Sequence, residues 1–263
     1  MNKKPIGIFD SGVGGLTVLR EVRKALPKED VVYFGDTARV PYGNKSQSTI
    51  IAFSRQNALF LLRKKVKMII VACNTSSALA LSDLKKNMNI PVVGVIDSGV
   101  IKALKNPDNK KIAIIGTRST IKSKSYEKAI KKINPDIKVY SKSCPLFVPL
   151  VEEGVLNGRI SDEVIKMYLE DIKRKGIDAL ILGCTHYPLL KKSIRSYLKD
   201  VNVIDSAKEV ALYVSGLLTR KNLLNTGGGK RIDFYVSDEP AGFGKLAKLF
   251  LKKNILKPRV VNV

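Results

Sequence analysis

Nine short apolar segments set the rhythm of this chain, at 6–9, 31–34, 67–72, 92–95, 111–115, 137–140, 178–182, 201–204 and 232–236. Most are rich in Val and Ile, and most lead through small or polar residues into a helical period. Leu16, Leu19, Val22 and Leu26 recur at steps of three and four until Pro27 ends the helix. Such alternation predicts an α/β fold with mainly parallel sheets. In that architecture ligands bind beyond the C-terminal ends of the strands. The residues found there are Asp10-Ser11-Gly12, Gly35-Asp36-Thr37, Cys73-Asn74-Thr75, Gly116-Thr117-Arg118-Ser119 and Gly183-Cys184-Thr185-His186. Small, polar and reactive side chains crowd one end of the strands.

A faint internal repeat runs through the same segments. The string ending in Cys73 matches the string ending in Cys184 at an offset of 111, and 6–11 matches 112–117 at 106. Nearly equal offsets predict two similar halves, each with a cysteine at a strand end. The predicted boundary lies near Asp97-Ser98-Gly99, and the residues after about 206 are expected to return to the first half. The chain then divides into 1–97 plus 206–263 and 98–205.

The formal net charge of +24 invites a nucleic-acid or membrane reading. The charge is spread evenly: residues 1–97 carry +8, 98–205 carry +9 and 206–263 carry +7. The densest clusters, Arg63-Lys64-Lys65 and Lys173-Arg174-Lys175, fall where helices are predicted to end and basic residues complement the dipole. Lys outnumbers Arg 35 to 12, Trp is absent, and no aromatic residues interleave with the basic ones. A Lys-rich surface is therefore expected, with no specific nucleic-acid partner. The apolar runs 68–73 and 179–182 are far shorter than the roughly 20 residues that span a bilayer. The start, Met1 to Pro5, lacks the apolar core of a signal peptide. These features predict a cytoplasmic enzyme without membrane contact, whose three cysteines are free thiols. Cysteines as far apart as positions 73, 144 and 184, with one His, fit no zinc site, so no metal is expected.

The chemistry concentrates on few residues. Cys144, in Ser-Cys-Pro-Leu-Phe, reads as a small core residue. Cys73 and Cys184 instead precede Asn74, Thr75, Thr185 and His186, which are costly in an apolar interior unless bonded and useful in a pocket. Helix N-termini and nearby cations favour a thiolate. Two facing thiols, one ionised, can take a proton from one side of a carbon and return one on the other. His186, the only His, stands two residues beyond Cys184, where it can tune the thiol or move a proton. Ser11 can cap the next helix, which frees Asp10 for the pocket. Gly12-Val13-Gly14-Gly15 lacks the third glycine of a dinucleotide fingerprint; it is read as admitting a small anion to helix-start amides. Glu152, after an apolar lead-in, is retained as a site candidate. Two other classes compete: a cysteine hydrolase using Cys184 and His186, and a nucleic-acid-binding module. Against the hydrolase, residues two apart usually diverge at a strand end, and acyl transfer needs no second matched Cys.

Taken together, the strings resemble the glutamate racemases of the cofactor-independent aspartate/glutamate racemase superfamily. The matching pieces are 7–17 (GIFDSGVGGLT), 33–43 (YFGDTARVPYG), 72–75 (ACNT), 144–154 (CPLFVPLVEEG) and 182–189 (LGCTHYPL). Weaker matches are 203–206 (VIDS) and 234–238 (FYVSD). The resemblance implies two similar three-layer α/β domains with the active site in the cleft between them. It implies racemisation of glutamate without a cofactor, a homodimer, and supply of D-glutamate for peptidoglycan and cell shape. It assigns Cys73 to the proton of D-glutamate and Cys184 to that of L-glutamate, assisted by Asp10 and His186 respectively. Asp10, Ser11, Tyr42, Gly43, Asn74, Thr75, Thr185 and His186 would hold the substrate; Asp36 and Glu152 match accessory acidic positions. Aspartate racemases of the same superfamily are the nearest alternative, because one methylene is worth only about 1–3 kcal/mol in a pocket. The sequence departs from the resemblance at Asp97-Ser98, where an acidic residue followed by Pro is common. The missing Pro bears on the stiffness of the crossing rather than on chemistry. The basic surface has a local use in attracting a dicarboxylate.

Overall fold

A computed structural model of the chain describes residues 3–255 and 257–263; Met1 and Asn2 of the N-terminal run lie outside the described residues. The strands are β1 (Ile6–Asp10), β2 (Val31–Gly35), β3 (Met68–Val71), β4 (Val92–Gly94), β5 (Lys111–Gly116), β6 (Lys138–Ser143), β7 (Ala179–Gly183), β8 (Asn202–Asp205), β9 (Ile232–Val236) and β10 (Arg259–Val260). Nine overlap the predicted segments. They form a six-stranded sheet, ordered β10-β9-β2-β1-β3-β4, and a four-stranded sheet, ordered β6-β5-β7-β8. Every pairing is parallel. The order β2-β1-β3-β4 recurs as β6-β5-β7-β8, so the offset of about 106–111 in sequence is a repeat of topology. Cys73 and Cys184 follow equivalent strands, β3 and β7.

Parallel strands need crossover helices, and those helices bury both sheet faces. Ile6 and Ile8 of β1 pack into one apolar body, while Phe9 points the other way against Phe34, Phe60 and Val71. The first body continues through Val210, Ala211 and Val214 to Leu180 and Leu182 of the second sheet. Those linking side chains belong to the helix Ser206–Arg220, which Asp205 caps by accepting from the Ala207 amide at 2.9 Å. Beyond it, β9 pairs with β2, so the chain returns to the first sheet. The basic clusters lie at the C-terminal ends of the helices Gln47–Arg63 and Arg159–Arg174.

Asp97, Ser98 and Gly99 lie in the first turn of the helix Ile96–Leu104. Gly99 approaches the Ser206 helix so closely that a Cβ there would sit 3.2 Å from the Ser206 Cβ. The passage that lacks proline is therefore helical and crosses the Ser206 helix at close range. No helix among the described residues is long and apolar enough to cross a membrane.

The opposite, N-terminal ends of the first sheet hold a buried ion pair. Lys67 Nζ lies 2.6 Å from Glu29 Oε2, with both side chains no more than 2% exposed. Lys67 also donates to the Leu223 carbonyl, and Glu29 Oε1 accepts from the Asn225 amide. The pair thereby ties the segment after the Ser206 helix to the base of the sheet. Removing one partner strands the other charge in a dry environment, at a cost of about 3–5 kcal/mol. Lys67→Met is therefore expected to lower unfolding stability by that order in urea titration, and Lys67→Met with Glu29→Leu to recover a large part of it. A single substitution costing less than about 1 kcal/mol would contradict this role.

Candidate active site

Asp10 is the last residue of β1 and is completely buried. Its Oδ2 accepts from the Gly12 amide at 3.0 Å, and the Gly15 amide also bonds the carboxylate. Its Oδ1 accepts from Thr185 Oγ1, on the other half of the chain, at 3.4 Å. Burial raises the Asp10 carboxyl above its ordinary value, and His186, the two amides and Thr185 oppose that rise. The glycine turn is thus an anion cradle whose anion is the chain's own Asp10. This corrects the expectation that it admits a small external anion, because the Gly12 and Gly15 amides are already engaged. Close packing explains the remaining glycine. A Cβ on Gly14 would lie 2.2 Å from Thr185 Oγ1 and 2.5 Å from His186 Nδ1.

Cys73 ends the stretch after β3 and caps the helix Asn74–Leu79. Its Sγ lies 3.7 Å from Ser11 Oγ. A helix N-terminus favours thiolate, but here burial and the charge of Asp10 win and raise the thiol to about 11. Asn74 accepts from the Tyr126 hydroxyl at 2.6 Å, which leaves its amide N–H groups to the cavity. Thr75 Oγ1 sits 3.0 Å from Thr117 Oγ1, joining the two halves again.

Cys184 follows β7. The chain turns at once into the short helix Tyr187–Leu190, and this turn folds His186 back onto the sulfur. Sγ lies 3.9 Å from His186 Nδ1, and His186 Nε2 lies 3.0 Å from Glu152 Oε1. Residues two apart do not diverge at this strand end, contrary to expectation, because the backbone leaves the extended conformation immediately after Gly183. Burial alone would lower the His186 value. Hydrogen bonds and charge from Cys184 and Glu152 outweigh it and raise the imidazole to about 10. The ring edge of Phe250 also packs against His186, with centroids 5.5 Å apart.

Both thiols line one cavity of about 360 Å³, together with Ser11, Tyr42, Gly43, Asn74, Thr75, Glu152, Thr185 and His186. Asp10 lies behind it. Asp36 is not among the lining residues: its carboxylate is held by Arg39 at 2.7 Å and by Ser237 at 2.9 Å, and it accepts from the Tyr42 hydroxyl. Asp36 therefore holds Tyr42 against the cavity. Gly43 accepts from Ser119 Oγ at 2.8 Å, and a Cβ on it would lie 2.7 Å from the Thr117 Cβ. Cys144 is fully buried away from the cavity and burial pushes its thiol up. All three cysteines are free. Among the described residues no cluster of three His, Cys, Asp or Glu could hold a metal.

Sequence reasoning placed Thr117 and Arg118 at a strand end without giving them a role, and passed over Val40, Val148 and Pro149; all five also line the cavity. Thr117 and Arg118 carried a signal. They follow β5, the repeat of β1, as Ser11 and Gly12 follow Asp10.

Residues 6–214 match the family of Asp/Glu/hydantoin racemases. The glutamate racemase of Geobacter metallireducens is 48% identical over 250 residues, covering 94% of this chain and 93% of its own. The chain belongs to the Asp/Glu/hydantoin racemase family. The glutamate racemase of Persephonella marina is similar at 51% identity, with 95% and 94% covered. The crystal structure of the Francisella tularensis glutamate racemase in complex with D-glutamate matches with a TM-score of 0.94 at 43% identity, covering 100% of this chain and 98% of that one.

The raised His186 value sets a pH dependence of stability. A group whose folded value exceeds its unfolded one stabilises the fold below the unfolded value and loses that contribution as pH rises through the folded one. The advantage of wild type over His186→Asn is expected to be full below pH 6.5 and to fade toward about pH 10. Unfolding midpoints measured across this range check it, and a constant offset would contradict it.

Proposed function

We propose that this chain interconverts L- and D-glutamate without a cofactor, by proton transfer between Cys73 and Cys184. The observation that carries the reading is that two thiols from equivalent strands of two repeated sheets line one cavity. Racemisation needs an acid and a base on opposite faces of one carbon, and a duplicated fold supplies one of each. The D-glutamate bound by the Francisella tularensis relative supports glutamate over aspartate.

In the direction from L-glutamate, the Cys184 thiolate removes the α-proton. The Cys73 thiol then delivers its own proton to the opposite face, which leaves Cys73 ionised and Cys184 protonated. The reverse reaction starts from that state. The high value of Cys73 suits delivery at neutral pH. His186 Nδ1 faces the Cys184 sulfur, where an imidazolium stabilises negative charge. Asp10, placed behind Cys73, assists proton transfer on that side. Ser11, Tyr42, Gly43, Asn74, Thr75 and Thr185 offer donors to the two carboxylates. Asp36 and Glu152 act through Tyr42 and His186. The halves 1–97 plus 206–263 and 98–205 serve as the two domains of a cytoplasmic homodimer that supplies D-glutamate for peptidoglycan.

The run of contacts from Cys184 through His186 to Glu152 also favours a second reading, an activated cysteine nucleophile. A covalent acyl adduct on Cys184 would establish it. Chiral analysis of L-glutamate incubated with the protein alone, with L-aspartate in parallel, tests the first reading. Cys73→Ala and Cys184→Ala are each expected to reduce racemisation about a hundredfold to ten-thousandfold or more. In D2O the product, and not the recovered substrate, should gain deuterium early. Full activity surviving either substitution rejects the two-thiol mechanism.

A further inference from the structure

We propose that Arg118 is the residue that selects dicarboxylates, pairing its guanidinium with a substrate carboxylate at the mouth of the cavity. The inference rests on the racemase reading for its kinetic consequence, and on the cavity itself for the contact. Arg118 is exposed and lines the same cavity as the two thiols. It is the first residue of the helix Arg118–Lys122, whose cap is Thr117. A basic side chain in a first turn opposes the helix dipole, so helix stability does not account for it. Its one polar contact, from Nη1 to Asn44 Oδ1, is long at 3.4 Å. Among the described residues no carboxylate forms an ion pair with it.

The other charged side chains lining the cavity, His186 and Glu152, bond to each other. Arg118 is therefore the lining cation left for a ligand. Asn44 belongs to the first half and Arg118 to the second, and both line the cavity, so the guanidinium reaches across the seam between the halves. Glutamate brings two carboxylates and one ammonium, a net negative charge. A guanidinium presents a planar fork that matches a carboxylate with two parallel hydrogen bonds. The side-chain carboxylate, gripped there, is remote from the reacting α-carbon, so the contact is equally strong in ground and transition states. Uniform binding of this kind changes KM and not kcat.

Arg118→Gln is expected to raise KM for both enantiomers about tenfold, with kcat within about twofold of wild type and an unchanged melting temperature. Arg118→Lys should fall between them, keeping the charge without the fork. Calorimetry with glutarate and butyrate as probes reads the contact without turnover. Wild type should prefer glutarate, and Arg118→Gln should lose about tenfold in glutarate affinity while butyrate binding stays level. Unchanged KM and unchanged glutarate affinity overturn the proposal, as does a fall in kcat at constant KM. If wild type fails to racemise glutamate yet its glutarate preference collapses in Arg118→Gln, the racemase reading fails and the dicarboxylate contact stands.

Discussion

Burying the carboxylate of Asp10 is the constraint on which the rest of the molecule turns. A charge at the dry end of a central strand costs several kcal/mol unless it is paired and hydrogen-bonded. Here the partners come from two places. Gly12 and Gly15 bring amides from the turn that follows, and Thr185 brings a hydroxyl from the other half. The turn reaches the second half only because Gly14 has no Cβ to strike Thr185 and His186. One buried charge therefore dictates the glycines, the contact between halves and the placement of the second thiol's neighbours.

The two halves share strand order but surround their thiols differently. Cys73 faces Ser11 with Asp10 behind it, and its proton is held tightly. Cys184 faces an imidazole that is itself braced by Glu152. Repetition supplies two thiols, and divergence of the neighbours gives each its own environment. The seam is closed by side chains on both sides: Thr75 against Thr117, Gly43 against Ser119, and Thr17 donating to the Thr185 carbonyl at 3.2 Å.

Much of this was legible in the sequence, and the misses have physical causes. Strands buried on both faces, such as β1, β3 and β7, read as apolar runs, while β6, half-exposed at its sheet edge, left a weaker one at 137–140. The tenth, Arg259–Val260, is two exposed residues at a sheet edge and leaves no periodic trace. The cysteines and their polar neighbours stood out because such residues rarely follow buried strands without reason. The glycine turn was misread because sequence shows that amides are free to bind an anion but not that Asp10, two residues earlier, already occupies them. The contact of His186 with Cys184 depends on where the backbone leaves the strand, a detail of one or two dihedral angles. Asp36, expected as an accessory acid, is paired with Arg39, three residues on, and accepts from the Tyr42 hydroxyl, contacts that its strand-end position alone does not reveal.

The ion pair of Lys67 and Glu29 sits where the strands of the first sheet begin, and the thiols sit where strands end. Robustness and reactivity are thus anchored at opposite poles of the same strands. Drift at one pole can adjust the working temperature of the protein while the reacting groups stay in place. Change at the other pole can retune the substrate while the foundation holds. A fold wired in this way can diversify its chemistry and its tolerance to heat as separate traits.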